Sequence, residues 1–172
     1  MQKKWYVVYT KSRQEKMAVR FLQEEGIECY LPLQKKLRQW KDRRKWVEIP
    51  LMNSYVFVRI SNDKEYLDVL KTENVVAFIT FEGKAAVVPD HQIKAIKLLL
   101  AAEAELEVTT QKLEAGDQIE VKAGPLKGLI GEVITHKNKR KVKVQIEHLG
   151  QAIIVDIGVK YLNKARRLAE KQ

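Results

Sequence analysis

From Leu113 onward the sequence changes texture, and this change limits the possible fold more than any other feature. Short β-patterned segments at 118–122, 129–136, 141–147 and 152–156 alternate with turn residues. Gly124-Pro125, Gly128, Asn138 and Gly150 supply those turns. Several short strands within 60 residues predict a small β-barrel.

The first hundred residues read differently. Trp5-Tyr6-Val7-Val8-Tyr9 is aromatic and β-branched, hence a strand. Ser12 precedes Glu15 by the capping-box spacing, and the helix it predicts carries Met17, Phe21 and Leu22 on one face and ends at Gly26. Residues 27–33 form a second strand in which Pro32 implies an edge or bulge. Segments 47–49 and 54–60 are strands. Asn62 and Glu65 offer another capping box, for a short helix to about Leu70. Strands at 75–81 and 85–88 flank a turn at Glu82-Gly83-Lys84. Pro89 and Asp90 open a helix whose Ile93, Ile96, Leu99 and Leu100 share a face. The expected fold class is therefore α+β: an N-terminal antiparallel sheet with packed helices over 1–102, a polar acidic linker over 103–112, and a small C-terminal barrel with a basic tail over 113–172.

Charge bears on the partner. The formal charge is +10. Residues 1–46 carry a net +8, 47–100 a net −1, 101–112 a net −2 and 113–172 a net +5. Two basic regions flank a neutral middle, a distribution suited to two surfaces that meet a polyanion. The hydrophobic share of 45% supports packed cores and excludes a chain disordered throughout. The single cysteine, Cys29, excludes an internal disulfide and a cysteine metal cluster. No apolar run approaches the roughly 20 residues of a membrane helix, and the opening Met1-Gln2-Lys3-Lys4 does not resemble a signal peptide, so the expected compartment is the cytoplasm, with no membrane partner.

The sharpest local motif is Gly116-Asp117-Gln118-Ile119-Glu120-Val121-Lys122-Ala123-Gly124-Pro125-Leu126-Lys127-Gly128-Leu129-Ile130-Gly131-Glu132-Val133. It is a strand, a glycine-proline turn and a strand opened by glycines, with Gly131 removing a side chain where strands pass close. It resembles a KOW motif, present in NusG-like transcription factors and some ribosomal proteins. Lys4-Trp5-Tyr6-Val7-Val8-Tyr9, Pro50-Leu51-Met52-Asn53-Ser54-Tyr55-Val56-Phe57-Val58 and Asn74-Val75-Val76-Ala77-Phe78-Ile79 resemble, in order, three stretches of the NusG N-terminal (NGN) domain. Met52-Asn53-Ser54 stands where NusG itself usually has Phe-Pro-Gly, which is closer to RfaH-like antiterminators of polysaccharide operons.

The resemblance implies a transcription elongation or antitermination factor that acts without catalysis or cofactor, as a monomer. It implies docking on the clamp helices of the largest RNA polymerase subunit through Tyr9, Met52, Tyr55, Phe57 and Phe81. Rigid aromatics suit such an anchor, while ordinary core packing is the other reading for each of these residues. The second polymerase contact of RfaH, through His-Thr-Thr, has no counterpart, since that place reads Glu65-Tyr66-Leu67.

Between Lys35 and Trp46 lie seven basic residues, one acid and two tryptophans, where the family has a variable hairpin. Lys41, Arg43, Arg44 and Lys45 can neutralise phosphates, and tryptophan can stack on unpaired bases. The alternative is a solvated loop whose tryptophans pack on the sheet. Lys11, Arg13, Gln14 and Arg20 lie where RfaH-like proteins read non-template DNA; Arg13 and Gln14 can read base edges, and Lys11 suits phosphate. The basic turn 137–141 reads first as a soluble hairpin, with RNA contact as the alternative. Leu149 and Gly150 match the loop through which NusG-type KOW domains meet a small-subunit ribosomal protein or the terminator Rho.

Nothing in the sequence points to catalysis. His91, His136 and His148 are scattered, with no metal-ligand spacing and no phosphate-binding glycine loop. The competing reading is a KOW-type ribosome- or RNA-binding protein without polymerase contact; it explains 113–163 and leaves the Trp5 and Tyr55 motifs without a role.

Overall fold

The computed structural model of the protein describes residues 2–111, 116–146, 148–162 and 165–168. The chain forms two compact units, Met1–Asp90 and His91–Gln172. The first runs β1 (Lys4–Thr10), α1 (Glu15–Glu24), β2 (Glu28–Tyr30), β3 (Leu33–Gln39), β4 (Arg44–Pro50), β5 (Tyr55–Ile60), α2 (Asp63–Lys71), β6 (Val75–Phe78), β7 (Thr80–Phe81), β8 (Lys84–Ala85) and β9 (Val87–Val88). Its main sheet has the order β2, β5, β1, β6, with β9 also on β1, and every pairing in it is antiparallel.

Alternation along the two central strands builds the core. On one face Val8 of β1, Val56, Val58 and Ile60 of β5 and Phe78 of β6 pack with Leu22 of α1 and Val69 of α2. Tyr66 stacks flat on Phe78 at 4.3 Å between centroids, which closes α2 onto β6. On the other face the register sets Trp5 against Arg59, Val7 against Phe57 and Tyr9 against Tyr55. The first two pairs are held at their centre by fully buried Val7 and Phe57, whereas Tyr9 is 42% exposed.

The two helix starts differ in how they are capped. At α2 the predicted Asn62 cap forms, while the return bond of the box falls one residue upstream, on Ser61. The Asn62 side chain accepts from the Glu65 amide at 2.9 Å, and the Glu65 carboxylate accepts from the Ser61 amide and hydroxyl at 2.6 and 2.9 Å. At α1 the predicted Ser12–Glu15 box is absent. Gln14 is the N-cap with no side-chain bond, and Glu15 turns inward to accept from the amide of Ser54 at 2.7 Å. The buried side of α1 is Glu15, Ala18 and Leu22, while Met17, expected on that face, is 39% exposed.

The second unit holds α3 (Asp90–Ala101), β10 (Leu106–Thr109), β11 (Gln118–Glu120), β12 (Ile130–His136), β13 (Lys139–Ile146), β14 (Gln151–Val155), α4 (Val159–Leu162) and β15 (Arg166–Arg167). Helix α3 buries Ile93, Ile96 and Leu99 along one side, as the spacing predicts. The strands form one sheet in the order β10, β14, β13, β12, β11, β15, a path open at its two ends. Residues 106–109, read from sequence as linker, are strand β10, antiparallel to β14 with Val108 opposite Ile153. The end of that linker reading, at 112–115, and the end of the basic tail, at 169–172, lie outside the described residues.

The sheet coils enough to bring Glu107 of β10 to the β12–β13 turn, three strands away. Its carboxylate accepts from the Lys137 ammonium at 3.0 Å and lies 3.2 Å from His136 Nε2. The bonds from Lys137, then from His136, hold the Glu107 carboxyl below the usual carboxylate range. A carboxylate with a lowered folded-state pKa contributes fully while pH is above its unfolded value of about 4.3, and less as pH falls toward the folded value. Acidification below about pH 4 is therefore expected to loosen the tether between β10 and the β12–β13 turn. Hydrogen exchange should show the 106–109 amides losing protection before those of β13, and Glu107→Gln should remove the pH dependence of that difference.

Candidate functional site

One end of the main sheet is built to present aromatic surface. Tyr9 and Tyr55 are direct cross-strand partners, with rings edge to face at 5.8 Å and 72°. Tyr9 is exposed and Tyr55 half-buried. The strand enters β5 through Ser54, whose φ of 63° bends the chain just before Tyr55. Two backbone bonds fix the bend: the Ser54 amide to Glu15, and the Thr10 amide to the Ser54 carbonyl at 2.9 Å. Glu15 is the site residue that the sequence reading missed. An acidic first-turn residue looks like a cap, and only the tertiary structure shows a different partner.

Of the five aromatic or apolar candidates, two are corrected. Phe57 is fully buried and stacks on Tyr30 at 6.2 Å, and Met52 is 2% exposed. Neither offers surface to a partner, because strand alternation puts Phe57 on the same face as Tyr55 but two residues further into the covered part of the sheet. Phe81 is exposed, and stands on the separate β7–β8 hairpin.

The basic run 35–46 is a β-hairpin. Strands β3 and β4 pair from Leu33–Pro50 to Gln39–Arg44, and Trp40 donates its amide to the Arg43 carbonyl at the tip. Lys41, Arg43, Arg44 and Lys45 are all exposed. Trp40 and Trp46 are 53% and 65% exposed, so neither is packed away on the sheet. Lys16 of α1 donates to the Glu48 carbonyl at 2.9 Å, tying the hairpin base to the first helix. At the start of that helix Lys11, Arg13 and Gln14 are exposed on a turn closed by the Gln14 amide and the Lys11 carbonyl. Arg20 is engaged within its own helix, donating to Glu24 at 3.0 Å.

In the second unit Leu149 is half-buried and Gly150, at φ 63°, turns the chain into β14. The basic turn is a tight two-residue turn at Lys137 and Asn138, with φ 51° and 61°. Cys29 is half-buried, and burial, then the charge of Glu28, pushes its thiol up to about 11. It therefore stays protonated at neutral pH, a poor nucleophile and metal ligand. Among the described residues no group of three or more His, Cys, Asp or Glu could hold a metal ion, and no helix is long and apolar enough to cross a membrane.

Comparison with known proteins bears directly on the unit that carries the aromatic pair and the hairpin. The family model described as "Transcription termination factor nusG" matches residues 3–97, more than half of the 172-residue chain. The chain belongs to the NusG family. A solved NusG of Thermotoga maritima, titled for its domain interaction, aligns over 98% of this chain and 99% of its own at 23% identity and a TM-score of 0.54, a likeness of fold. Two conformations of the MjSpt4:Spt5 complex align over 97% and 98% of this chain at 19% and 20% identity, each with a TM-score of 0.30. No curated protein matches the chain. The NusG match spans β1, α1, the β3–β4 hairpin and β5, so both exposed surfaces lie inside the family's domain.

Proposed function

We propose that this NusG-family protein is a transcription elongation and antitermination factor of the specialised RfaH-like kind, acting on selected operons. The observation that carries the reading is the Tyr9–Tyr55 pair, Tyr9 exposed and Tyr55 half-buried, at the open end of an otherwise buried sheet face, in a chain of this family. This pair, with Phe81, docks on the clamp helices of the largest polymerase subunit. Docking favours the closed, elongating cleft to the extent that its affinity for that state exceeds its affinity for the paused state. The protein does this in the cytoplasm, as a monomer, without catalysis or cofactor. Lys11, Arg13 and Gln14 and the hairpin cations Lys41, Arg43, Arg44 and Lys45 touch non-template or upstream DNA. In domain terms, 1–102 is the NGN domain and the sheet that begins with β10 is the KOW domain. Through Leu149 and Gly150 the KOW domain meets a small-subunit ribosomal protein or Rho.

A KOW-type RNA- or ribosome-binding role without polymerase gives no use to the Tyr9–Tyr55 pair, and the family match falls on the unit that such a role leaves idle. Pull-down with purified RNA polymerase tests the choice. Tyr55→Asp is expected to weaken binding at least about 30-fold, as loss of a hot-spot aromatic does. Thermal unfolding within a few degrees of wild type shows that the half-buried position still folds. Equal binding by both proteins, with the variant folded, sinks the docking site.

A further inference from the structure

The hairpin carries different chemistry on its two faces, and the register assigns each residue to one. Successive side chains along a strand point to opposite faces and directly paired residues share one. On the first face Leu37 pairs with Trp46, and Gln39 with Arg44. There the Arg44 Nε donates to the Gln39 Oε1 at 2.8 Å, and Lys35 stands opposite Glu48, so the charges of this face are largely engaged or balanced. What it offers outward is Leu37, 47% exposed, beside Trp46, 65% exposed. On the second face Lys36 pairs with Val47 and Arg38 with Lys45, three exposed cations with no acid in their rows. The base is held by the Lys16 bond to Glu48 and by the Leu51 amide donating to the Pro32 carbonyl at 2.8 Å.

A basic face alone suits any polyanion. A duplex presents phosphates outward but keeps its base faces stacked, whereas an unpaired strand presents both. We propose that the hairpin is a wedge for a DNA junction: Lys36, Arg38 and Lys45 hold duplex phosphates, and the Trp46–Leu37 face takes an unpaired base of the displaced strand by stacking. The proposal rests on the nucleic-acid role given to the hairpin above, and it makes the ligand a forked duplex rather than plain duplex or plain single strand.

Fluorescence anisotropy of the full chain with labelled duplex, single-stranded and forked DNA, over a salt series, tests it. Wild type is expected to prefer fork over duplex by at least about 5-fold, the effect of one stacked base. Trp46→Ala should abolish that preference while leaving duplex affinity and the salt slope unchanged. The triple variant Lys36→Gln, Arg38→Gln, Lys45→Gln should lower the salt slope by about 2 to 3 on duplex and fork alike. All four positions are exposed, and matching thermal unfolding of each variant shows that the fold is intact. A fork preference that survives Trp46→Ala, or fork and duplex affinities that fall together in that variant, overturns the wedge. Polymerase pull-down with the wild-type chain separates the two proposals: no fork preference with normal polymerase binding defeats only the wedge, and a fork preference without polymerase binding defeats only the docking reading.

Discussion

Gly131→Ala is expected to lower the unfolding midpoint of the second unit by about 15 °C, an effect of about 3 kcal/mol in a unit of this size. A methyl group at this position would lie 2.5 Å from Val142 Cγ1 and 2.7 Å from the Lys143 carbonyl oxygen. Carbon atoms in contact normally stay 3.5–4.0 Å apart, so both neighbours must move. Neither moves cheaply. Val142 is fully buried and β-branched, with a stiff side-chain torsion. The Lys143 carbonyl belongs to the backbone of β13, which is paired on both sides, with β12 and with β14. Relief therefore requires shifting the centre of the six-stranded sheet. Gly128 provides the contrast. Its φ is +91° but nothing lies within 4 Å, so alanine there meets only backbone strain, about 1–2 kcal/mol. Full-length protein, followed by hydrogen exchange at the 142–155 amides, should rank Gly131→Ala below Gly128→Ala. The reverse order would mean that β12 and β13 do not approach as closely as described.

Much of this architecture is readable in the sequence where local chemistry decides it. The Asn62 cap on the Glu65 amide needs only four consecutive residues, and it forms. The face of α3 follows from apolar spacing, and the glycines of 124–131 announce a tight turn and a close strand. The features that were not readable depend on partners distant in sequence. Strand β10 is four residues, Leu-Glu-Val-Thr, in an acidic stretch, and it becomes a strand because the free edge of β14 pairs with it. Strand alternation tells that Tyr55 and Phe57 share a face, but not where cover on that face ends, so Phe57 looks as available as Tyr55 until burial is known. The charged run 35–46 fits a loop or a hairpin equally well. Only cross-strand pairing separates its cations from its Trp46–Leu37 pair.

Glu15→Ala is expected to reduce both stability and polymerase binding, while Glu15→Gln restores most of each. Glu15 is 5% exposed and Ser54 7% exposed, so the Ser54 amide has little access to water if its acceptor is removed. An unsatisfied buried donor costs about 1–3 kcal/mol, and glutamine avoids most of that because its amide oxygen still accepts. The functional loss follows from position. Ser54 holds a φ of 63°, a region that disfavours any residue with a Cβ by about 1–2 kcal/mol, and Glu15 is one of two bonds that keep it there. Tyr55 is the next residue, and its ring meets Tyr9 edge to face. Once the latch is lost, Tyr55 samples other orientations and the preformed aromatic anchor is diluted. This also accounts for the glycine that NusG itself usually carries where Ser54 stands, because glycine adopts the same φ at no steric cost. Ser54→Gly in this chain should accordingly leave stability within about 1 kcal/mol of wild type and polymerase binding intact. Thermal unfolding and pull-down of Glu15→Ala, Glu15→Gln and Ser54→Gly, measured side by side, check the latch. An unchanged midpoint in Glu15→Ala would show that the Ser54 amide finds another acceptor, and normal binding by a destabilised Glu15→Ala would detach the latch from the tyrosine pair.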